Sequence, residues 1–572
     1  MNRRWRVSRT NPEYIRYISK TASVSPVLAQ ILINRGLKTQ QEINDFLNPD
    51  ISGLSDPFEL PGVKDAIERI KYALDINERV LVHGDYDADG LTATAIMVQA
   101  LKMHGLDVHY FIPNRIAHGY GFNPPAVKTA KELGATLIIT VDCGITSFEA
   151  AAAAKAEGID VIITDHHEPV KAATRDPQSP IPNPSFLVPD AVAVINPKLS
   201  ALSSQLSALS GAGIAFKIAQ ALSAIDATRC TPCDLLDLAA IGTMADVVPL
   251  TGENRIIVKE GMRLIQEGRR LGIKALKNTA GLNGRQLRAG LLSFTIIPRI
   301  NAAGRLADSQ DVVRLLLSDE EEEALELSSW LDRLNSERQK LDEEVYQEAV
   351  SKLDATGSDS VIVLSGEGWH QGVVGIVASR LAEEFCRPAF IFSIENGIAK
   401  GSARSIPSFD LCRGLSECKH LLLSFGGHKQ AAGVKLKAEN ISEFEKAMQA
   451  VIKSSLSDDD FISLLEIDAD ITLAEANHNL IKELSMLEPL GFGNEEPFLG
   501  SKRLDVINPR IVGNNHLKMK LKQGSQIIDA IGFDMGKPNP PDIIDAVFTL
   551  NINEYNGNSY LQLNLKAFRP SK

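Results

Sequence analysis

The chain has 572 residues, with 60 Lys+Arg against 72 Asp+Glu and a formal net charge of −12. At roughly 100–200 residues per domain, that length implies several domains or one large core with appendages. Hydrophobic residues at 44% and charged residues at 23% exclude a disordered or fibrous chain. The acidic balance argues at first against a nucleic-acid binder, which usually carries a basic excess.

No run of 18 apolar residues occurs, so no transmembrane helix is expected. The basic opening MNRRWRVSRTNPEYIRY lacks the apolar segment of a secretory signal. Six cysteines read as a reducing compartment, hence a cytoplasmic location. Cys230 and Cys233 form a lone CxxC with no second pair and no nearby His, which favours plain thiols over a zinc site.

Residues 1–54 are read as an N-terminal cap segment, basic in its first 20 residues. From 78 onward, short apolar runs alternate with helical patterns, as in βαβ units with a mainly parallel sheet. Val80-Leu81-Val82 leads into HGDYDADG and then the helical LTATAIMVQALKMHG. FIPNR and HGYGF follow another strand and bring Arg115 beside Tyr120 and Phe122, a base among aromatics that suits stacked single-stranded bases, although surface packing explains any single ring. TLIITV runs into Asp142-Cys143-Gly144, with Ser147 placed to cap an alanine-rich helix, and VIIT runs into Asp165-His166-His167. The five prolines of 171–190 predict a long irregular loop.

Ligands of open parallel sheets bind beyond the carboxyl ends of the strands. One acid at such an end is as well explained by helix capping. His83, Asp85, Asp87, Asp89, Asp142, Asp165, His166 and His167 together are not. Packed carboxylates repel unless a cation neutralises them. Carboxylates with a few imidazoles and no thiolate favour Mn²⁺ or Mg²⁺. The excess of acids over one ion's needs predicts two ions sharing a bridging Asp, the arrangement that clamps a phosphoryl group for in-line attack.

PRINAAGRL places Arg299, Asn301 and Arg305 beside an expected tight turn, suited to phosphates. Residues 318–354 carry a local charge of −9 and an apolar period through Leu327, Leu331, Leu334, Leu341, Val345, Ala349 and Leu353. That pattern predicts a long solvated helix joining two domains, capped by Ser318. VIVLSGEGWHQGVVGIVASR reads as strand, turn and helix. Its Gly372 falls one residue too late for a dinucleotide-binding GxGxxG, and that reading is set aside. GSARS offers Ser402 and Arg404, a hydroxyl and a guanidinium fork for phosphate. LLLSFGGHKQAAG offers Gly426, Gly427, His428 and Lys429, where paired glycines let backbone N–H groups approach an anion.

Residues 454–470, a local −6, read as a surface linker. About five short alternating segments follow 465, on a stretch with ten bases and six acids over 500–572; they match an OB-like barrel or a generic β-sandwich. The two acidic segments hold more than the whole net charge, so the remaining 518 residues sum to +3. The objection to nucleic acid dissolves.

HGDYDADG, VDCGIT, TDHHEP and IGTMADVVPL, in that order, resemble the four motifs of the DHH phosphoesterase superfamily. The GGH segment resembles its DHH-associated domain. From about residue 55 onward, IPRINAAGR, HQGVVGIVASR, GSARS, GGHKQAAG and LEPLGFGNEEP follow the order of the superfamily's RecJ family of single-stranded-DNA-specific 5′→3′ exonucleases. The resemblance implies His83, Asp87 and Asp142 as ligands of one ion, and Asp89, Asp142, His166 and Asp246 as ligands of the other. It implies His167 as a donor to the scissile phosphate, with Asp85 and Asp165 orienting the groups around it. Arg115, Ser402 and Arg404 would hold a terminal 5′-phosphate. The implied reaction releases 5′-mononucleotides in recombination and repair, by a monomer with the single-strand-binding protein and a repair helicase as partners and no membrane. The expected fold is α/β: a parallel-sheet catalytic domain at 55–312, a connecting helix at 313–354, a smaller α/β domain at 355–455 and an OB-like barrel at 465–572. No large further C-terminal domain is expected. The alternatives are a hydrolase of oligonucleotides or polyphosphate on the same ions, and a non-catalytic DNA-binding scaffold.

Overall fold

The computed structural model describes residues 4–114, 119, 121–172, 186–199, 206–224, 231–356, 360–536, 540–555 and 558–571. Two compact units emerge. The larger combines Trp5–Ile297, Ser309–Ser328 and Glu466–Lys572; the smaller combines Pro298–Asp308 with Ser329–Leu465.

The larger unit is built on five strands: β1 (Arg79–His83), β2 (Asp107–Phe111), β3 (Leu137–Val141), β4 (Asp160–Thr164) and β5 (Ala193–Ile195). Their order is β2-β1-β3-β4-β5, all parallel. Residues 80–83 and all of β3 are buried, as apolar runs covered on both faces must be. Thr140 pairs with His83 on one side and Ile163 on the other, so residues 83–89, 142 and 165–167 leave the sheet at one edge. Helices α1 (Ala88–Met103), α2 (Phe148–Ala156), α3 (Gly211–Ser223), α4 (Leu236–Ala245) and α5 (Gly252–Glu267) complete this layer. In α1, α3 and α4 nearly every residue is buried, which their Ala- and Gly-rich sequences permit by letting backbones pack closely.

The same unit carries the C-terminal barrel. After a two-residue strand β11 (Ala469–Asp470), β12 (Leu499–Val512), β13 (His516–Gln523), β14 (Gln526–Gly532), β16 (Asn558–Pro570) and β15 (Ile543–Tyr555) are neighbours in that order, and β12 also pairs with β15. The second pairing closes a five-stranded barrel, which leaves no free edge. The N-terminal helices Pro12–Thr21, Pro26–Asn34 and Gln40–Leu47 share one core with it: Ile18, Leu28, Ile31 and Leu32 pack in the cluster that holds Leu499, Leu504, Leu517 and Phe548. Residues 18–47 therefore pack as part of the barrel's own core.

The start of α5 fastens three outlying segments. Glu253 and Lys217 form an ion pair at 2.9 Å, both fully buried, and together they accept and donate across Ser55: its N–H to Glu253 Oε1 at 2.6 Å, its carbonyl from Lys217 Nζ at 2.6 Å. Asn254 donates to the carbonyls of Ala208 and Pro249 at 2.6 and 3.1 Å. Arg255, 1% exposed, donates to the carbonyls of Phe46, Met486, Leu487, Glu488 and Pro489 at 2.6–3.2 Å and stacks on the Phe46 ring.

The smaller unit contains β6 (Ile362–Glu367), β7 (Ala389–Glu395), β8 (Ile398–Arg404), β9 (Leu422–Gly427) and β10 (Ala431–Lys437), ordered β9-β10-β8-β7-β6. Helix α8 (Val374–Phe385) packs in the core that contains β6 and β7 residues. Two helices cross the boundary between the units in sequence: α6 (Ile296–Leu306) and the 36-residue α7 (Glu321–Thr356).

Several local expectations need correction. Arg299, Asn301 and Arg305 lie within the helix α6, not beside a tight turn; no Gly or Pro there sits at a position that stops it. Ser318 does not cap the acidic helix, because Ser318 closes the preceding helix Gln310–Leu317 and α7 begins only at Glu321. Ser147 occupies the N-cap position of α2 without a side-chain cap bond. At the ends of the proline-rich loop, Val170–Lys171 pairs with Phe186–Leu187 as a short antiparallel ladder; residues 173–185 lie outside the described residues, as does Cys230. Cys233 is an exposed free thiol. At the rejected GxG turn, a Cβ on Gly366 would collide with the Trp369 ring, so this glycine makes room for a side chain and not for a pyrophosphate.

Replacing Lys217 by Met leaves the Glu253 carboxylate buried without its counter-charge. Breaking a buried pair in this way costs about 3–5 kcal/mol. The measurement is a denaturant or thermal unfolding curve of the larger unit's signal, in which Lys217→Met unfolds well below the parent.

Candidate metal centre

The carboxyl edge of the parallel sheet gathers three overlapping groups with ligand atoms within 4.8 Å of one another: Asp85, Asp87 and Asp142; Asp89, His166 and Asp246; and Asp142, His166 and His167. Asp142 links the first group to the third and His166 links the third to the second, so the three are continuous. Its backbone is in the left-handed region at φ 61°, which a non-glycine residue adopts only where its surroundings enforce it. The enforcing neighbour is α3. A Cβ on Gly211 would lie 2.6 Å from Asp142 Oδ1, so only glycine allows the helix start to come this close.

Three of the ligand candidates, Asp87, Asp89 and Asp246, also hold helix ends. Asp87 caps α1, one oxygen accepting from the N–H groups of Asp89 and Gly90 at 3.0 Å. Asp89 accepts from the N–H groups of Gly211 and Ala212 at 2.7 and 2.9 Å, anchoring the N-terminus of α3. Asp246 is the C-cap of α4, with Oδ2 3.5 Å from His166 Nδ1; His166 Nε2 is 3.1 Å from Asp142 and 4.0 Å from Asp89. His166 thus stands among three carboxylates. Asp165 turns the other way: it accepts from Ile145 N–H, and its other oxygen accepts from His167 N–H at 3.0 Å and lies 2.7 Å from His167 Nδ1. The geometry makes it the group that orients His167.

His83 is in none of the three groups. It lies between the Phe111 and Phe122 rings, fully buried, with Nε2 3.4 Å from the Gly121 carbonyl and Nδ1 without a hydrogen-bond partner. Phe122, expected to stack a base, is 4% exposed and packs in this core instead. Arg115 and Tyr120 lie outside the described residues.

Electrostatics set the protonation. Burial, then the charge of Asp87, raises Asp89 to about 7; burial, then Asp89 and Asp87, raises Asp246 to about 8. Burial and the surrounding acids push Asp142 well above the ordinary carboxylate range. Burial lowers His83 to about 4, which keeps its imidazole neutral and able to coordinate. Burial would lower His167 as well, but the hydrogen bond and charge of Asp165 carry it up to about 9, and Asp165 in turn stays below its usual range. Acids forced toward protonation, an unpartnered buried imidazole nitrogen and an oxygen-rich set without thiolate fit Mn²⁺ or Mg²⁺.

Within the smaller unit, Ser402 and Arg404 stand on β8 against the first turn of α8: a Cβ on Gly375 would lie 3.1 Å from Ser402 Oγ and 3.5 Å from Arg404 Nη2. Arg404 Nη1 donates to Ser402 Oγ at 2.9 Å. A guanidinium, a hydroxyl and a helix N-terminus are the kinds of donor that phosphate oxygens accept from. Gly427, His428 and Lys429 form the exposed turn of the β9–β10 hairpin, with His428 N–H bonded to Ala431 O at 2.8 Å. Arg299 pairs with Asp332 at 2.8 Å and Arg305 donates to Gly372 O at 2.9 Å, so the structure engages both with protein groups. Asn301 is on the same helix.

Comparison with known proteins agrees with this geometry. Family models match at 79–243 (DHH family, N-terminal domain), 358–454 (DHHA1 domain) and 467–567 (RecJ OB domain). The single-stranded-DNA-specific exonuclease RecJ of Bacillus subtilis is 38% identical over 98% of this chain and 70% of its own length; that of Haemophilus influenzae is 34% identical over 97% and 98%. Crystal structures of Thermus thermophilus RecJ in complex with Mn²⁺ and with Mg²⁺ superpose over the whole of this chain and 80% and 79% of theirs, with TM-scores of 0.86 and 0.79 at 32% and 31% identity. With an acid-and-histidine centre at the sheet edge, a DHH-associated unit and an OB barrel matched over nearly full length, the chain belongs to the RecJ family of single-stranded-DNA-specific exonucleases.

Proposed function

We propose that this chain degrades single-stranded DNA from the 5′ end, releasing 5′-mononucleotides in recombination and repair. The observation that carries the reading is the convergence of Asp85, Asp87, Asp89, Asp142, His166 and Asp246 on one sheet edge in a chain that also carries an OB barrel. Two divalent ions would neutralise the phosphate and activate the attacking water. Asp142 is placed to serve both, with Asp85 and Asp87 on one side and Asp89, His166 and Asp246 on the other; His83 serves through its free Nδ1. His167, held by Asp165 and protonated at neutral pH, donates to a phosphate oxygen. Arg115, Ser402 and Arg404 take the terminal 5′-phosphate, on the family resemblance; Arg299, Asn301, Arg305 and the 427–429 turn hold backbone phosphates further on.

The barrel supports single-strand binding through β13, whose Lys518, Lys520 and Lys522 alternate with buried Leu517, Met519 and Leu521. A row of basic side chains of this kind suits sequence-tolerant binding of a phosphate backbone. The single-strand-binding protein and a repair helicase are the proposed protein partners, in the cytoplasm, on the same resemblance. Among the described residues no helix is long and apolar enough to cross a membrane.

Two measurements test this reading. With Mn²⁺ and a single strand labelled at either end, labelled mononucleotide appears at once from the 5′ end alone, and Asp142→Ala abolishes it; polyphosphate hydrolysis without DNA degradation overturns the proposal. Arg404→Ala lowers kcat/KM on a 5′-phosphorylated strand by about 10–100-fold, as expected for a charged hydrogen bond of about 1.5–3 kcal/mol, and far less on a 5′-hydroxyl strand.

The pH dependence has a definite sign. Asp89 and Asp246 titrate near 7 and 8 in the folded chain, above the usual carboxylate value, so their contribution to stability without ions is present at low pH and is lost as pH rises through 7–8. Ions that replace those protons restore it. The gain in Tm from Mn²⁺ is therefore larger at pH 8 than at pH 6, and calorimetry in buffers of different ionisation enthalpy registers proton release near pH 7. A gain independent of pH with no proton release contradicts it.

A further inference from the structure

The turn that carries Asp246 is held from outside the catalytic layer. Asp246 ends α4, and Val247 after it lies at φ 58° with 62% of its surface exposed. A β-branched residue in the left-handed region is strained and persists only where its surroundings over-determine it. Little of that restraint can come through Val247's own exposed side chain. It comes two and three residues on, from residues 486–494, which include most of the LEPLGFGNEEP segment at 487–497.

Leu250 N–H donates to Phe492 O at 2.8 Å. A Cβ on Gly491 would lie 2.7 Å from Leu250 Cδ1, and one on Gly493 3.0 Å from Pro249 Cβ. Asn254 fixes the Pro249 carbonyl. The segment itself is rigidly tied. Arg255 gathers the carbonyls of Met486, Leu487, Glu488 and Pro489, and Asn494, fully buried, donates to those of Leu487 and Pro489 at 2.8 and 2.7 Å. A guanidinium with no carboxylate partner among the described residues, its five N–H groups all on backbone carbonyls, fixes a loop conformation that few other side chains could specify.

We propose that residues 486–494, clamped by Arg255, are a positioning device for Asp246: this loop, which precedes the barrel, sets the seat of the ion held by Asp89, His166 and Asp246. The inference rests on reading Asp246 as an ion ligand. Arg255 and Gly491 are positioning residues; neither touches substrate.

The test is Mn²⁺ titration of the metal-free full chain, with free Mn²⁺ followed by electron paramagnetic resonance. The parent takes up two ions. Arg255→Lys keeps the charge but loses the fork, and Gly491→Ala drives a methyl into Leu250; each retains one ion at parental affinity and binds the second about 10-fold or more weaker, the loss typical when a ligand's support is removed. Nuclease kcat then recovers at high Mn²⁺ while KM for the strand is unchanged. If Arg255→Lys fails to fold, Gly491→Ala carries the test. Gln30→Ala, which removes one of the two side-chain donors to the Ser8 and Asp468 carbonyls on the barrel side, lowers Tm and keeps both ions; selective loss of the second ion there as well would mean general loosening and overturn the proposal. Asp246→Asn separates the two readings. If it keeps both ions, Asp246 is not a ligand and the proposed centre itself is wrong. If it loses one while Arg255→Lys and Gly491→Ala keep both at parental affinity, the loop does not position it.

Discussion

Carboxylates withdrawn from water beside one another repel, and Asp85, Asp89 and Asp142 are each no more than 2% exposed at the edge of a single sheet. The rest of the catalytic layer answers to that repulsion. Two helix N-termini point backbone N–H groups at Asp87 and Asp89, which lowers the cost of their charge. His166 is inserted among Asp89, Asp142 and Asp246, and His167 takes up the charge of Asp165. What the protein's own groups leave uncompensated holds Asp89, Asp142 and Asp246 above their ordinary range, and divalent ions supply the remainder. The affinity of the centre for ions and the instability of the centre without them have one cause.

Charge is segregated on a larger scale too. The acids that make the net charge negative are concentrated in 318–354 and 454–470, which are the helix α7 with its approach and the stretch leading to the barrel. Against them, β13 of the barrel alternates lysine with buried apolar residues. A polyanionic substrate responds to the local field within roughly a Debye length, about 8–10 Å, and not to a sum over the whole chain. That is why an acidic protein can serve a nucleic acid.

The capping roles and the ligand roles are not alternatives. Asp87 is both a helix cap and part of the acid cluster, because capping engages one oxygen and leaves the other. Sequence spacing makes that cap legible, since donor and acceptor are two and three residues apart. The role of Asp89 at the head of α3 is not legible, because Gly211 is 122 residues away. The same holds for Asp85, which reads as a group behind the ligands and lies within the Asp87–Asp142 group, and for Phe122, which reads as a stacking ring and packs on His83. Arg255 escaped notice altogether: an arginine in an amphipathic helix reads as solvated, and only the meeting of residues 46 and 486–489 around it makes it the largest fully buried side chain.

By itself the sequence determined the alternation of strands and helices, the four acid-bearing motifs, the choice of hard divalent ions over zinc and a terminal run of short strands that fits a barrel or a sandwich. Each of these is written in local periodicity or in the kinds of residue gathered within a few positions. The tertiary structure alone decided which acids come within ligating distance of one another, which face the protein instead, and that residues 18–47 and the barrel form one core across more than 400 residues of chain. Hydrogen bonds and contacts between distant segments depend on the register of the sheet and the crossing of helices, and no short stretch of sequence carries either.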